Sequence, residues 1–362
     1  VRIPRKMEHV HHALALGQSG EQGFSDIKFI PNCLPDTSVE RISLQTLIGE
    51  LSMSSPIIIN AMTGGAPETA DINRDLAIAA RETGLAMAVG SQMSAIKHPE
   101  VEYSYRVVRE VNQHGIVFGN LGSEATLEQA ERAVDMLRAD GLQIHLNVMQ
   151  ELIMPEGDRD FTGMLERIAG IAQHLGVPVV VKEVGFGMAR ESVAALLQAG
   201  VQAFDVGGAG GTNFAEIENA RRSNPMIWLN DWGVKTAVTL LESLHAVEQY
   251  RNSGLGEAFI IGSGGIRSAW EACKALTLGA SAVGMAGALL RTVRTEGVAA
   301  LIEQINETHQ ELKLLMAALG ARTIQDLWQR PIVISGETAH WCDVRGISIH
   351  AYAARSGLIK IT

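Results

Sequence analysis

Eight short, uninterrupted apolar runs limit what this chain can fold into. They are Pro56–Met62, Leu85–Gly90, Gly115–Asn120, Gly141–Asn147, Val177–Glu183, Ala203–Gly207, Ala258–Gly262 and Ala282–Met285. Runs of this length without polar alternation suit strands buried on both faces, as in parallel sheets. Between them, stretches such as 126–138, 161–175 and 189–199 place apolar residues three and four apart, the period of an amphipathic helix. Alternating strand and helix means βα units, and eight units close into a (β/α)8 TIM barrel. An open doubly wound sheet is the alternative. Glycines and polar residues at the ends of all eight runs favour the barrel, whose site lies at the strand C-termini.

No low-complexity linker divides the 362 residues, so one domain is expected. Residues 1–55 form an extension, with a helical pattern near Glu8–Gly17 and strand-like pieces around 26–30 and 39–43. The barrel spans 56–296. A helical cover and tail fill 297–362, with a helix at about 297–327 whose apolar stripe runs through Glu311–Leu319.

Hydrophobic residues make up 46%, enough for a large core and against disorder. The net charge of −10 weighs against a nucleic-acid footprint but leaves room for a small phosphorylated ligand. Three cysteines without ligand spacing suggest a reducing compartment. No apolar run reaches 18 residues and the first residues lack an apolar leader, so a cytoplasmic, non-membrane protein is expected.

Three glycine clusters follow the last three runs: Asp205–Thr212, Gly262–Arg267 and Gly284–Ala288. In barrels such loops present backbone N–H groups to a phosphate at a helix N-terminus. None matches the dinucleotide fingerprint in its strand–helix context. Lys182 ends the fifth run on the same face as Val180. Three roles fit a lysine there: a charge beside an anionic reduced flavin, a Schiff base, or a structural salt bridge. His145 and Asn147 share a face of the fourth run, with Gln150 and Glu151 just beyond. One carboxylate with waters and substrate phosphate is a normal Mg²⁺ arrangement. Asn60, Met62–Gly65, Ser91–Gln92 and Asn120 are neutral donors and acceptors suited to a flat heteroaromatic cofactor. Arg5 and Lys6 form an isolated basic pair that spacing alone reads as a solvated tail.

The runs RK at 5–6, INAMTGG at 59–65, VGSQM at 89–93, NLGSEAT at 120–126 and QIHLNVMQELIMPEGDRDF at 143–161 resemble the FMN-dependent type 2 isopentenyl-diphosphate isomerases. So do VKEVGFGMA at 181–189, GGAGGTNFAEIEN at 207–219 and MAGALL at 285–290. The resemblance implies a TIM barrel of the FMN-linked phosphate-binding type, with FMN, Mg²⁺ and NAD(P)H as reductant. It implies isopentenyl diphosphate as substrate and a homo-oligomer, tetramer or octamer. By the same resemblance Arg5, Lys6, His145, Asn147 and Gln150 contact substrate, and Glu151 ligates Mg²⁺. Ala61, Met62, Thr63, Ser91, Asn120, Lys182 and Thr212 contact the flavin. Gly264, Gly265, Ala286 and Gly287 hold its phosphate, while Gln150, Lys182 and His145 carry the chemistry. Met93 stands where some members carry arginine. A runner-up is an FMN-dependent 2-hydroxy-acid oxidoreductase, which needs a histidine base and an arginine for the carboxylate. His145 supplies the first, and no strand-end arginine obviously supplies the second.

Overall fold

The structure, a computed structural model, describes residues 20–357. Three short strands come first: β1 (Ile27–Phe29), β2 (Thr46–Ile48) and β3 (Leu51–Met53). Eight parallel strands then close a barrel: β4 (Ile57–Ile59), β5 (Ala86–Ala88), β6 (Val117–Gly122), β7 (Gly141–Leu146), β8 (Val179–Glu183), β9 (Ala203–Asp205), β10 (Phe259–Ser263) and β11 (Ala282–Met285). Each lies within or overlaps one of the eight apolar runs. Closure is by Val283 beside Ile57 and Met285 beside Ile59.

The barrel interior holds Ile58, Ala86, Ala88, Phe118, Val180, Ala203, Ile261 and Ala282, all buried. One aromatic ring among several alanines suits a narrow tapering space. Ile48 and Met53 of the β2–β3 hairpin join this cluster from below. Thr46 Oγ1 donates to Ser281 O at 2.7 Å and Ser54 Oγ to Gly84 O at 2.6 Å, both just before barrel strands. The hairpin therefore closes the N-terminal mouth, and only the C-terminal mouth is left to receive a ligand.

Helices form the outer ring. Leu127–Leu137, Met164–His174 and Arg190–Gln198 fall inside the three periodic stretches. The first is stopped at its N-terminus by a Thr126–Gln129 capping box, which satisfies two otherwise orphaned N–H groups. The C-terminal helix runs Val298–Leu319 and buries Leu312, Met316 and Leu319 of the expected stripe. It packs on the helices Ala269–Leu278 and Pro67–Thr83. It stops at Gly320, short of the expected 327, because that glycine adopts φ 71° and turns the chain. Beyond it β12 (Ile332–Ile334) pairs antiparallel with β1.

The strand-like reading of 39–43 fails. Val39–Arg41 is a 3-10 turn held by Arg41 N–H to Ser38 O at 3.1 Å and Ile42 N–H to Val39 O at 3.2 Å. Alternation gave that stretch the look of a strand, but the chain pairs instead at the hairpin, where Gly49 allows the turn. The helical pattern at 8–17, with Arg5 and Lys6, lies outside the described residues. Among the described residues no helix is long and apolar enough to cross a membrane.

Candidate active site

A cavity of about 280 Å³ opens at the C-terminal mouth of the barrel, near the lower end of the usual ligand-pocket range. Every residue that the family resemblance assigns to the site and that lies within the described region lines it. The wall after β9 to β11 is backbone: Gly207, Gly208, Gly211, Thr212, Gly264, Gly265, Ala286 and Gly287. Gly264 sits at φ +112°, and a Cβ there would collide with the Gly208 carbonyl and lie 2.5 Å from Thr236 Oγ1. Two bonds lock these loops together: Gly208 N–H to Ser263 O at 2.9 Å and Thr236 Oγ1 to Gly264 O at 2.6 Å. Ala286 and Gly287 open the helix Gly287–Thr295, whose first N–H groups have no partner within the helix. This combination of close glycine backbone and helix N-terminus suits a phosphate.

The opposite part of the cavity carries side chains. Thr63 Oγ1 is buried and has no hydrogen-bond partner among the described residues. A buried polar atom left unsatisfied is costly, so a bound group with a complementary atom fits here. Lys182 is 7% exposed, and its Nζ donates to Glu183 O at 2.8 Å. An ammonium carries three donors, so this bond leaves capacity directed at the cavity. Glu183 Oε2 accepts N–H groups from Gly185, Phe186 and Gly187 at 2.7, 2.6 and 3.1 Å. Burial pushes the Glu183 carboxyl up to about 7, against the pull of those N–H groups and of Lys182. Strand register sets His145 beside Lys182, and Lys182 beside Asp205, at one level of the barrel.

Asn147 stands at the N-terminal boundary of the short helix Val148–Ile153, without a side-chain capping bond, and the helix projects Gln150 and Glu151 into the mouth. Asn147 Nδ2 donates to Glu151 Oε1 at 3.0 Å, and Asp158 N–H to Oε2 at 2.9 Å. Each carboxylate oxygen thus keeps a lone pair for a cation. Arg159 ties the following turn by donating to Met154 O at 2.8 Å and Gly157 O at 2.7 Å. Among the described residues no group of three or more His, Cys, Asp or Glu is placed to hold a metal. A cation at Glu151 would therefore take most of its ligands from elsewhere.

Sequence reasoning missed part of the site. Glu218 is fully buried and accepts from Gln150 Nε2 at 3.0 Å, while Arg221 Nη1 lies 2.5 Å from its other oxygen. Phe214 lines the cavity beside Thr212. Gln92, expected among the cofactor contacts, does not reach the cavity. Its amide bridges Ala133 O at 3.0 Å and Asn120 N–H at 2.9 Å. Met93 is buried in the wall. Arg190 binds Arg345 O at 2.7 Å and Arg267 binds Gly210 O at 2.7 Å, so both are structural. Among the described residues no arginine lines the cavity.

Residues 131–334 match the family model of FMN-dependent dehydrogenases. In fold the chain is similar to a Pediococcus acidilactici lactate oxidase, with a TM-score of 0.68 and 15% identity over 92% of this chain and 93% of that one. It is also similar to a flavocytochrome b2 variant with benzoylformate, at TM-score 0.67, 18% identity, 94% of this chain and 82% of that one. In sequence it is 54% identical to the isopentenyl-diphosphate delta-isomerase of Geobacillus sp. (strain WCH70), over 98% of this chain and 99% of that protein. The isomerase of Bacillus licheniformis is 51% identical with the same coverage. On an FMN-type barrel, with this identity over nearly its whole length, the chain belongs to the isopentenyl-diphosphate delta-isomerase family.

Proposed function

We propose that the chain interconverts isopentenyl diphosphate and dimethylallyl diphosphate, with reduced FMN against the glycine wall, Mg²⁺ on Glu151 and NAD(P)H as reductant. The observation that carries this reading is the composition of the cavity at the barrel mouth. Its glycine-backbone wall suits a phosphate and a planar ring, its helix Val148–Ile153 offers a carboxylate with free lone pairs, and among the described residues no arginine lines it.

The allylic shift adds one proton at the terminal alkene carbon and removes another at C2. When bound, reduced FMN supplies the acid and base for that exchange. Lys182 places a buried positive charge beside the ring position, which favours an electron-rich ring. Thr63, Asn120, Ala61, Met62 and Ser91 would contact the flavin ring. Thr212 closes the flavin pocket, while Gly264, Gly265, Ala286 and Gly287 hold its phosphate. Glu151 holds Mg²⁺ and through it the diphosphate, with Asn147 keeping the carboxylate in place. His145 and Asn147 face substrate, and Gln150 is steadied for its contact by Glu218. Arg5 and Lys6 add charge for the diphosphate. Reactant and product have the same oxidation level, so a reductant such as NAD(P)H would be needed only to bring the flavin to its reduced form and would not be consumed in each turnover.

The test is an anaerobic assay with FMN, Mg²⁺, a chemical reductant and isopentenyl diphosphate, read by product analysis. Dimethylallyl diphosphate formed only with reduced flavin is the expected result. No product with reduced flavin bound, together with bleaching of oxidised flavin by a 2-hydroxy acid, would overturn it.

A further inference from the structure

Beneath the cavity a row of buried polar side chains crosses the barrel. Asn60 Nδ2 donates to Asp205 Oδ2 at 2.5 Å, and Gln143 Nε2 to Asn60 Oδ1 at 3.1 Å. Asn120 Nδ2 donates to Gln143 Oε1 at 3.2 Å, and Asn120 Oδ1 meets His145 Nδ1 at 2.9 Å. Asp205 is fully buried, and its other oxygen accepts from the Ser263 hydroxyl. We propose that Asp205 is a positioning residue that, through Asn60, Gln143 and Asn120, holds His145 in its Nδ1–H form.

The direction of the row follows from chemistry. A carboxylate only accepts, so Asn60 must turn its NH2 toward Asp205 and its oxygen toward Gln143. A second anchor agrees: Ala61 N–H, which only donates, bonds Asn60 Oδ1 at 2.9 Å. Gln143 must then present NH2 to Asn60 and oxygen to Asn120. Asn120 in turn presents NH2 to Gln143 and oxygen to His145. An oxygen facing Nδ1 requires a proton on Nδ1. In neutral His145 the lone pair therefore belongs to Nε2, and the proton that comes and goes does so there. His145 can grip an anionic oxygen through Nε2 only as the imidazolium. The relay stands on geometry alone. Its effect on substrate rests on the proposed contact of His145 with the diphosphate.

The test uses the full-length FMN-loaded protein labelled with 15N-histidine, with H145Q identifying the signal. Long-range 1H–15N spectra of neutral His145 are expected to show a protonated Nδ1 and an unprotonated Nε2. In D205N the amide can turn either face to Asn60, so the Ala61 N–H bond alone opposes reversal of the row and a detectable share of the Nε2–H tautomer should appear. In the swap D205N/N60D the carboxylate moves one place along the row. There it accepts from the amide introduced at position 205, from Gln143 and from Ala61 N–H, so the single Nδ1–H form should return. D205N should raise KM for isopentenyl diphosphate on the order of tenfold, about one charge-assisted hydrogen bond, with a smaller change in kcat, and the swap should reverse it. A wild-type Nε2–H tautomer overturns the proposal without any variant. So does D205N that keeps the Nδ1–H form alone, or a swap that binds FMN yet shows mixed tautomers. Spectra that behave as expected in a protein making no dimethylallyl diphosphate would leave the relay standing and remove the proposed reaction.

Discussion

Replacing Gly264 by alanine tests whether the glycine wall is the cofactor cradle. The added Cβ would meet the Gly208 carbonyl and Thr236 Oγ1 at a backbone φ of +112°. Holding a non-glycine residue in so sparsely populated a region costs about 1–3 kcal/mol. Separating the loops to relieve the clash loses the Gly208–Ser263 and Thr236–Gly264 hydrogen bonds, each about 0.5–1.5 kcal/mol. The total is about 2–6 kcal/mol, and the part relieved by movement opens the cradle. At about 1.4 kcal/mol per decade the two bonds alone, at least about 1 kcal/mol, raise the Kd for FMN roughly fivefold or more. Flavin fluorescence titration of the apoprotein measures this directly. Turnover assayed at rising FMN should recover at saturation, because Gly264 carries no side-chain chemistry. A variant with unchanged Tm and an FMN Kd within about twofold of the wild type would refute the steric reasoning.

Three further outcomes are expected. K182A should bind FMN but lose turnover by about 100-fold or more if Lys182 has its proposed place beside the flavin ring; near-normal kcat with reduced flavin bound would exclude that role. E151Q should raise the Mg²⁺ concentration needed for half-maximal activity by about tenfold while flavin titration is unchanged; equal Mg²⁺ dependence would free Glu151 from metal binding. Glu183 gives a pH dependence: its folded value of about 7 lies above the ordinary 4.5, so the folded state takes up the proton more readily. That contribution is complete below about pH 4.5 and is lost as pH rises through 7, about 3 kcal/mol in all. Urea denaturation of E183Q should show a flatter stability profile across this window, and parallel wild-type and variant profiles would contradict the assignment.

The barrel was legible because each strand is buried on both faces and so carries a local signal. The apolar run through Val179–Val181 reads as a buried strand without knowledge of its neighbours. The cavity-lining residues at strand ends, such as His145 and Lys182, stood out for the same reason: a polar side chain closing such a run is expensive unless paired or used. Long-range pairing left no such mark. Glu218 looks like one more acidic residue on a helix, and only folding brings it to Gln150, 68 residues away. Asp205 meets Asn60 across 145 residues. The hairpin at 46–53 was hidden because its apolar residues face the barrel's lower end, a surface that exists only once eight strands have closed.

The pairing of β1 with β12 sets the timing of assembly. Ile27 lies against Ile334, and Asp26 accepts from the backbone N–H and hydroxyl of Thr338. Translation proceeds at about 5–20 residues per second, so β1 emerges roughly 15–60 s before its partner strand is made. β4 waits almost as long for β11, its partner at the barrel seam. For most of its synthesis the growing chain is thus an open parallel sheet with exposed edges, the state most prone to pairing with other chains. Only when β11 and β12 have followed does the seam close and the leading segment become clasped.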